Sequence, residues 1–295
     1  MNKKVYGSEK IFNMAINLIL LLFGLIALYP LIFVVSASVS DPTAVNSGRV
    51  TLLPVGFNLK GYQAILKSKW IITGYRNSLF YTVSGTVLNV TVTLMAGYAL
   101  SRRDLYGRRL ITLFMMFTMW FSGGIITTYL VVNKIGLYNK WYTLILIGLV
   151  SVYNVIITRS FISGSIPMEL QEAARIDGCN DFQIFARLII PLSKPVTAIL
   201  CLYYGLGHWN SYFNALIYLK DKNMQPLQIF LREILVQNET IHMSSDALDS
   251  LIERALMAQT MKYSLIVVAS LPMLMIYPFL QKFFVKGVMI GSVKG

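Results

Sequence analysis

The chain has 295 residues, of which 56% are hydrophobic and 13% charged, and its mean hydropathy is +0.61. Soluble domains carry about 25% charged residues, so this composition argues against a soluble enzyme and predicts an integral membrane protein. The formal net charge of +13 resides in loops rather than in a basic stripe with stacking aromatics, which argues against nucleic acid as a partner. The two cysteines, Cys179 and Cys201, suit neither a disulfide framework nor a metal site and are expected to be free thiols.

Six apolar runs are long enough to cross a bilayer, which requires about 20 residues per helix. The first run, 11–38, has a cleaved signal peptide as its alternative, but a signal peptide's apolar region is only about 7 to 15 residues long. The others are 77–100, a run from about 110, and then 141–161, 188–219 and 263–284. We therefore predict an all-α integral membrane protein with six transmembrane helices. The predicted division is a cytoplasmic N-terminus at 1–10, a membrane domain at 11–290 and a cytoplasmic tail at 291–295.

Two of the runs contain predicted breaks. Gly123 and Gly124 are expected to bend the third run into a broken or re-entrant excursion on the outer side. Pro191 and Pro195 are expected to leave the first turns of the fifth run at the membrane interface. Before both breaks, in the second run, small residues suited to close helix packing occur at Ser84, Gly85, Ala96 and Gly97.

The segment 101–109 carries the strongest orientation signal, with four arginines against one aspartate. Short loops rich in arginine face the cytoplasm. With six crossings, both termini are then cytoplasmic, and the polar segments 39–75 and 220–261 lie outside the cell. The predicted location is the plasma or inner membrane, with multiple passes through the lipid.

The polar segment 163–190, between the fourth and fifth runs, predicts two short helices joined by a turn. Ser165 is expected to cap the first helix with Pro167 in its first turn, and Gly178 to end it in the left-handed conformation. Asn180 or Asp181 is expected to cap the second helix, which Pro191 ends.

The first of these two helices has a broad face with small side chains. Its spacing places four residues on that face: Glu169, Glu172, Ala173 and Ile176. Ala173 and Ala174 keep the face shallow enough to enter a groove. An amphipathic helix lying on the inner membrane surface is the alternative interpretation.

The order Glu172-Ala173-Ala174, then Asp177-Gly178, and later Ile190-Pro191, resembles the EAA loop of ABC importer permeases. Three features resemble the carbohydrate-uptake branch, in its smaller, maltose-type permease subunits. They are the segment IPMELQEAARIDG, the six-span layout and the terminal GSVKG. The resemblance covers nearly the whole chain, and SGGIITTYLVVNKIGL brings it closest to the subgroup for complex oligosaccharides of Gram-positive bacteria. Members often carry proline where Thr127 stands here, a departure at the outer bend.

The resemblance implies the ABC importer permease fold and a transport subunit rather than an enzyme. It assigns the ATPase-coupling role to five positions, namely Glu172, Ala173, Ala174, Asp177 and Gly178. Its implied partners are a second permease subunit in a heterodimer, an ABC ATPase dimer, an extracellular solute-binding protein that docks on the outer loops, an oligosaccharide substrate and membrane lipids. The tail at 291–295 is expected to contact the ATPase. No cofactor is expected on this subunit, because it has no G-x-x-x-x-G-K-[ST] loop and ATP with Mg would be bound by the ATPase.

Polar side chains in the fifth run suggest a translocation path. His208 with Tyr212, and Asn210 with Asn214, are each four residues apart, and polar groups are costly when they face lipid. Rings and amides together can bind sugars. The candidate path residues are Tyr153, Asn154, His208, Trp209, Asn210, Tyr212 and Asn214. Hydrogen bonding between helices is the alternative role for these residues, and His208 has no neighbouring histidine or carboxylate with which to hold a metal.

Three alternative functions stay open on the sequence alone. An intramembrane enzyme needs paired acid, base or nucleophilic groups, and His208 has no carboxylate partner in the spans. A sensor or scaffold could use the same fold without transport. An exporter is the third alternative, although an EAA loop in a chain without a fused ATPase resembles an importer.

Overall fold

The computed structural model describes residues 7–241, 261–278 and 281, and within them the backbone is helical with no strand. This confirms the predicted all-α class. The chain divides into two compact units, one formed by 1–69 with 231–270 and the other by 70–230 with 271–295. Several predicted features lie outside the described residues, among them the first six residues, most of 242–261, the end of the last run and the tail at 291–295.

The described backbone is divided among helices of very different length. In chain order they are α1 (Gly7–Ser38), α2 (Pro42–Asn46), α3 (Lys60–Lys67), α4 (Lys69–Ser101), α5 (Arg108–Trp120), α6 (Gly124–Lys134), α7 (Thr143–Leu146), α8 (Val152–Ser165), α9 (Met168–Ile176), α10 (Asp181–Ile184), α11 (Ile190–Leu192), α12 (Lys194–Trp209), α13 (Phe213–Tyr218), α14 (Leu227–Ile241) and α15 (Met261–Pro278). A π-helical turn, Phe185–Ile189, joins α10 to α11, and a 3₁₀ turn, Lys222–Met224, precedes α14.

By length and composition, three described helices can cross a membrane: α1 from Glu9, α4 and α15. Two bent pairs could each add one span, namely α5 with α6, bent by 115°, and the Asp181–Leu192 helix with α12, bent by 82°. The first bend falls at the predicted glycine pair, where Gly124 has φ +77°. The second falls at Ser193, between the two predicted prolines. Both predicted breaks are confirmed, and the described chain supplies three to five spans.

The predicted fourth span, 141–161, is wrong as one continuous helix. It is divided into α7 and α8 by a turn in which Gly148 has φ +78°, a conformation that residues with a side chain rarely adopt. Ser151 then caps α8 by accepting a hydrogen bond from the Asn154 N–H. The 14 residues of α8 make a helix of about 21 Å at 1.5 Å per residue, shorter than the roughly 30 Å hydrocarbon core.

Other predicted boundaries also need correction. The second span begins at Lys69 rather than near 77, and the fifth ends at Trp209 rather than 219. The helix that was expected to stop at Pro191 continues to Leu192. Pro191 is tolerated there because it follows the π-helical turn and lies in the first positions of α11, where its missing N–H costs little.

In the first unit, the segment after α1 forms a folded loop of turns and the short helices α2 and α3. Backbone hydrogen bonds tie Asp41 N to Val55 O at 2.9 Å and Asn58 N to Val39 O at 2.8 Å. The Asp41 carboxylate caps α2, and its hydrogen bonds from Thr43 lower the pKa of that group below its usual value. The cap therefore keeps its charge throughout the physiological range.

In the second unit, glycines let α4 lie close to two other helices. A Cβ on Gly97 would lie 2.5 Å from Thr158 Cγ2 of α8, and one on Gly85 would lie 2.4 Å from His208 Nε2 of α12. The close packing predicted for the small residues of the second run is confirmed at these two positions.

Replacing Gly97 with alanine is expected to destabilise the protein by about 1–3 kcal/mol, the usual cost of overpacking. The new methyl would meet Thr158 and, at 3.2 Å, the backbone N of Arg159, which has little freedom to move. Thermal unfolding of the detergent-solubilised chain measures the effect. Gly164→Ala on α8 is the matched control, because no atom of the described residues lies within 4 Å of its Cβ position. Equal melting temperatures for the two variants would contradict the expected clash.

Candidate functional site

The predicted coupling helix corresponds to α9, nine residues from Met168 to Ile176. Pro167 is its N-cap residue, with extended backbone and no side-chain cap, whereas Ser165 is the last residue of α8. The predicted Ser165 cap is therefore wrong: α8 continues up to that residue, and the chain needs Ile166 and Pro167 to turn into α9. Glu169 lies in the first turn, where a carboxylate interacts favourably with the helix dipole.

The two faces of α9 differ sharply in exposure. Glu169, Glu172 and Ala173 are exposed, and Ile176 keeps 87% of its surface accessible. On the opposite face Gln171 is only 7% exposed, and Ala174 packs against the buried core. The predicted face is confirmed with one correction, because Ala174 points inward and only Ala173 makes the outer face small. The outer face of α9 therefore combines two carboxylates, one small side chain and one exposed large apolar side chain.

The turn after α9 is defined by backbone geometry. Gly178 has φ +81°, the predicted left-handed conformation, and Cys179 N donates to Ala174 O at 2.9 Å. Asp177 is the C-cap residue, and within the described residues its carboxylate has no hydrogen bond or ion pair. Asn180 then caps α10 in a reciprocal capping box with Gln183, as predicted. The orientation of α9 is thus set at its C-terminal end.

A core of buried apolar side chains connects this loop to the long helices of the second unit. Ile184, Phe185 and Ile189, from the segment after α9, pack in it with residues of α4, α8 and α12. The further buried members are Val90, Leu94, Tyr98, Ile162, Ile166, Val196, Leu200 and Tyr204. Displacing the loop would therefore press directly on α4 and α12, because close-packed cores transmit displacement.

Sequence reasoning missed a group of charged residues beside α9. Arg102, from the segment after α4, forms ion pairs with Asp104 and Asp181, and Arg175 of α9 pairs with both aspartates. Hydrogen bonds from Arg102 lower the pKa of Asp104, and the two aspartates raise the pKa of Arg102 against the opposing effect of burial. From the sequence, the arginine-rich segment indicates only the topology, and nothing in the sequence pairs it with Asp181.

The breaks in the helices open a second candidate site in the same unit. One cavity of about 200 Å³ is lined by Asn89, Gly148, Tyr204, His208, Ser211 and Asn214, among others. A neighbouring cavity of about 240 Å³ shares Ile147 and Asn214 with it. The first cavity lies where α7 and α12 end, and the second lies where α5 and α7 end, so irregular backbone borders both. Membrane proteins tolerate non-helical backbone where it lines a cavity.

Hydrogen bonds fix the polar groups of the first cavity. Asn89 Nδ2 donates to Gly148 O at 3.2 Å, and Asn89 Oδ1 lies 3.3 Å from His208 Nε2. The Tyr204 hydroxyl lies 2.7 Å from Thr93 Oγ1 and accepts from Ser151 N at 3.1 Å. Asn89 is therefore a cavity residue that the sequence does not single out, since it is one of several polar residues in its run, beside Thr86, Thr91 and Thr93.

The cavity brings together only some of the predicted path residues. His208 and Asn214 line it. His208 and Tyr212 do not share one helical face, because α12 ends at Trp209 and Asn210 is its C-cap residue. The side chain of Trp209 is buried and packs edge-on against Tyr75 at 5.7 Å. Asn154 is buried in α8, whereas Tyr153, Asn210 and Tyr212 are exposed. Their roles in a path stay predictions.

The second unit has broken helices around a polar cavity, and a packed core joins them to an exposed amphipathic helix. This is the architecture of a membrane transport subunit. The chain belongs to the family of binding-protein-dependent transport system inner membrane components, whose profile matches residues 71–290. It is a sugar ABC transporter permease, a transport subunit and not an enzyme.

Two curated relatives from Bacillus subtilis (strain 168) are similar over most of their length. The chain is 40% identical over 292 residues to the polygalacturonan/rhamnogalacturonan transport system permease protein YtcP, covering 97% of this chain and 99% of the relative. It is 36% identical over 272 residues to the protein LplC, with 92% and 91% covered. Among solved structures, it resembles a chain of a bacterial ABC transporter involved in the import of the acidic polysaccharide alginate, with a TM-score of 0.86, 34% identity, and coverage of 96% of this chain and 100% of that one.

Proposed function

We propose that this chain is one of two permease subunits of an ATP-driven importer, which receives an oligosaccharide from an extracellular binding protein. The observation that carries the proposal is the exposed outer face of α9, in a chain whose family forms inner membrane components of such systems. Glu172, Ala173, Asp177 and Gly178 would dock in the ATPase, with Ala174 packed behind them. ATP and Mg would be bound by the ATPase.

The proposed membrane topology retains six crossings with both termini in the cytoplasm. Three helices and two bent pairs supply up to five crossings, and α7 with α8 would supply the remaining one as a broken span. This arrangement places α9 and the arginine-rich segment on the cytoplasmic side, consistent with the preference of arginine for that side. It also places the connection between α6 and α7 and the segment after α13 outside.

We infer that the transported oligosaccharide is acidic. YtcP is named for polygalacturonan and rhamnogalacturonan, and the related solved transporter imports alginate. On the proposed outer side, Asn139 Oδ1 accepts hydrogen bonds from Lys220 N and Asp221 N at 2.9 and 3.0 Å and so joins two lysine-bearing loops. Lys140 and Lys220 lie in these loops. Lys134 ends α6, and Lys222 begins the 3₁₀ turn after the acidic Asp221. Clustered positive charge attracts an anionic substrate and speeds its association.

Cells that lack their own importer and express the complete transporter provide the test of this function. We expect uptake of a labelled oligogalacturonate that depends on the binding protein and on ATP, and little uptake of a neutral maltooligosaccharide of equal length. Preferential uptake of the neutral sugar would refute the acidic substrate. An assembled complex with no uptake of any oligosaccharide would favour the scaffold, and ATP-dependent loss of preloaded sugar from cells would favour an exporter.

Asn214→Ala is expected to raise the KM of uptake about tenfold, because loss of a well-placed hydrogen bond to a substrate is worth about 1–1.5 kcal/mol. Asn214 lies between the two cavities, where its amide can reach sugar hydroxyls. The matched control is Asn133→Ala on α6, since Asn133 is exposed and lines neither cavity. Initial rates of uptake over a range of sugar concentrations measure both variants, and an unchanged KM for Asn214→Ala would remove this residue from the path.

A further inference from the structure

Four charged residues join the coupling helix to the end of α4, and we call them the loop clamp: Arg102, Asp104, Arg175 and Asp181. Arg102 donates from Nε and Nη2 to the two carboxylate oxygens of Asp104, at 2.9 and 2.5 Å. Its third nitrogen, Nη1, donates to Asp181. Arg175 Nη2 contacts Asp104 Oδ2 and Asp181 Oδ1, both at 3.3 Å. Each arginine therefore contacts both aspartates, and the formal charges of the group cancel.

The clamp connects three separate parts of the chain. Arg102 and Asp104 directly follow α4, Arg175 lies in the last turn of α9, and Asp181 is the first residue of α10. Residues 102 and 181 are 79 positions apart in sequence. The group therefore spans the proposed coupling helix, the turn that follows it and the cytoplasmic end of a long membrane helix.

Arg102 is held more rigidly than an ordinary surface arginine. Its side chain is only 14% exposed, and its guanidinium lies 5.9 Å from the centre of the Tyr98 ring. Tyr98 in turn stacks on Phe185 at 5.7 Å, within the core that follows α10. Arg108 Nη1 also donates to Arg102 O at 3.2 Å. A bidentate arginine whose own position is fixed by packing defines the orientation of the carboxylates that it binds.

We propose that the loop clamp is a positioning device for energy coupling, which makes α9 and the end of α4 move together when the ATPase closes. This inference rests on the proposed function, because it takes α9 to be the helix that docks in the ATPase. The apolar core lies behind α9, whereas the clamp lies at its C-terminal end and resists rotation about the turn at Gly178. Without the clamp, the ATPase could bind and rotate α9 without moving α4.

The positions of the four residues favour a role in orientation over one in stability. Isolated exposed ion pairs contribute little to folding, and three of these side chains are 41–64% exposed. Their geometry can still matter, because a misplacement of about 1 Å in a coupled site can cost roughly 100-fold in rate. Loss of the clamp should therefore reduce transport far more than it reduces the melting temperature.

The complete transporter, reconstituted in liposomes with its binding protein, provides the test. Asp181→Asn and Arg102→Gln are each expected to lower uptake by about tenfold or more, in line with the cost of misplacement. The ATPase should still co-purify in native amount, but its hydrolysis should no longer rise when the loaded binding protein is added. Arg102→Lys keeps the charge but not the bidentate geometry, and we expect it to restore only part of the uptake.

Arg103→Gln is the matched control, because Arg103 is adjacent and exposed and forms no ion pair within the described part of the chain. It should transport within about twofold of the native protein, as expected for a surface substitution away from such contacts. Asp181→Asn keeps the test decisive if Arg102→Gln fails to fold, since Asp181 is 64% exposed. Native uptake and native stimulation of hydrolysis in Asp181→Asn would overturn the clamp.

The outcome separates this inference from the proposed function. If Glu172→Arg loses the ATPase while Asp181→Asn couples normally, the clamp is wrong and the coupling helix stands. If Glu172→Arg retains the ATPase and native uptake, the proposed function of α9 fails, and the clamp fails with it. Loss of coupling in Asp181→Asn with the ATPase still bound supports both.

Discussion

Glu172→Arg is expected to remove the ATPase from the purified transporter and to abolish uptake, while the chain still inserts in the membrane. Glu172 is exposed on the outer face of α9 and has no hydrogen bond or ion pair within the described part of the chain, so we expect the substitution to leave the fold intact. At a docked interface, however, reversing a charge costs about 2–5 kcal/mol, which corresponds to roughly 30-fold or more in affinity. Affinity purification of the tagged chain in detergent, followed by mass spectrometry of the bound proteins, measures the loss.

The native chain should bring down a second permease and an ATPase in the same experiment. Glu9→Arg provides the charge control, because Glu9 is also exposed and lies near the start of α1, on the proposed cytoplasmic side. That variant should keep both partners. Normal uptake by Glu172→Arg would contradict the assignment of α9 as the coupling helix and would make the membrane-surface helix the better interpretation.

Ala173→Trp is expected to have an effect of similar size for a steric reason. The Ala173 side chain is exposed, so the subunit can accept an indole there without repacking its core. A shallow outer face is what allows close approach to a cleft, and a large side chain at its centre would hold the two surfaces apart and forfeit their contacts. ATPase binding and uptake should both fall by about tenfold or more, the factor that corresponds to 1.4 kcal/mol.

Ala173→Ser is the control for this substitution, since it adds a single oxygen atom and should bind the ATPase normally. A parallel change at Ala174 would not be informative, because that side chain packs against the core and a larger residue there would disturb folding. Native ATPase binding by Ala173→Trp would show that this face of α9 does not enter a cleft.

Much of the coupling loop was predictable from the sequence because it depends on local rules. Gly178 takes the left-handed conformation that ends α9, and Asn180 with Gln183 forms a capping box. The outer face of α9 follows from helical periodicity alone. The prediction that Ser165 caps α9 is wrong because packing determines where α8 ends. Ile162 and Ile166, on either side of Ser165, are both buried, and α8 continues to Ser165.

The translocation cavity was predictable only in part. Polar side chains of a membrane span are costly when they face lipid, and this argument identified His208 and Asn214 in the fifth run. Both residues line the cavity. Helical spacing then misled, because α12 ends at Trp209 and separates His208 from Tyr212. Asn89 was missed, although it connects His208 with the backbone of Gly148 across 59 residues of sequence. Contacts of this kind depend on which helices become neighbours.

The sequence by itself determined the class of the protein, its principal apolar runs, the bends at Gly123–Gly124 and Pro191–Pro195, and the amphipathic face of α9. These features follow from composition, periodicity and backbone preference, which act over a few residues. Only the tertiary structure decided that the fourth run is broken, that the cavities lie at the broken helix ends, and that Arg102 reaches Asp181. Those outcomes depend on close packing and on charge pairing between distant segments, whose free energies are realised only once the helices have assembled.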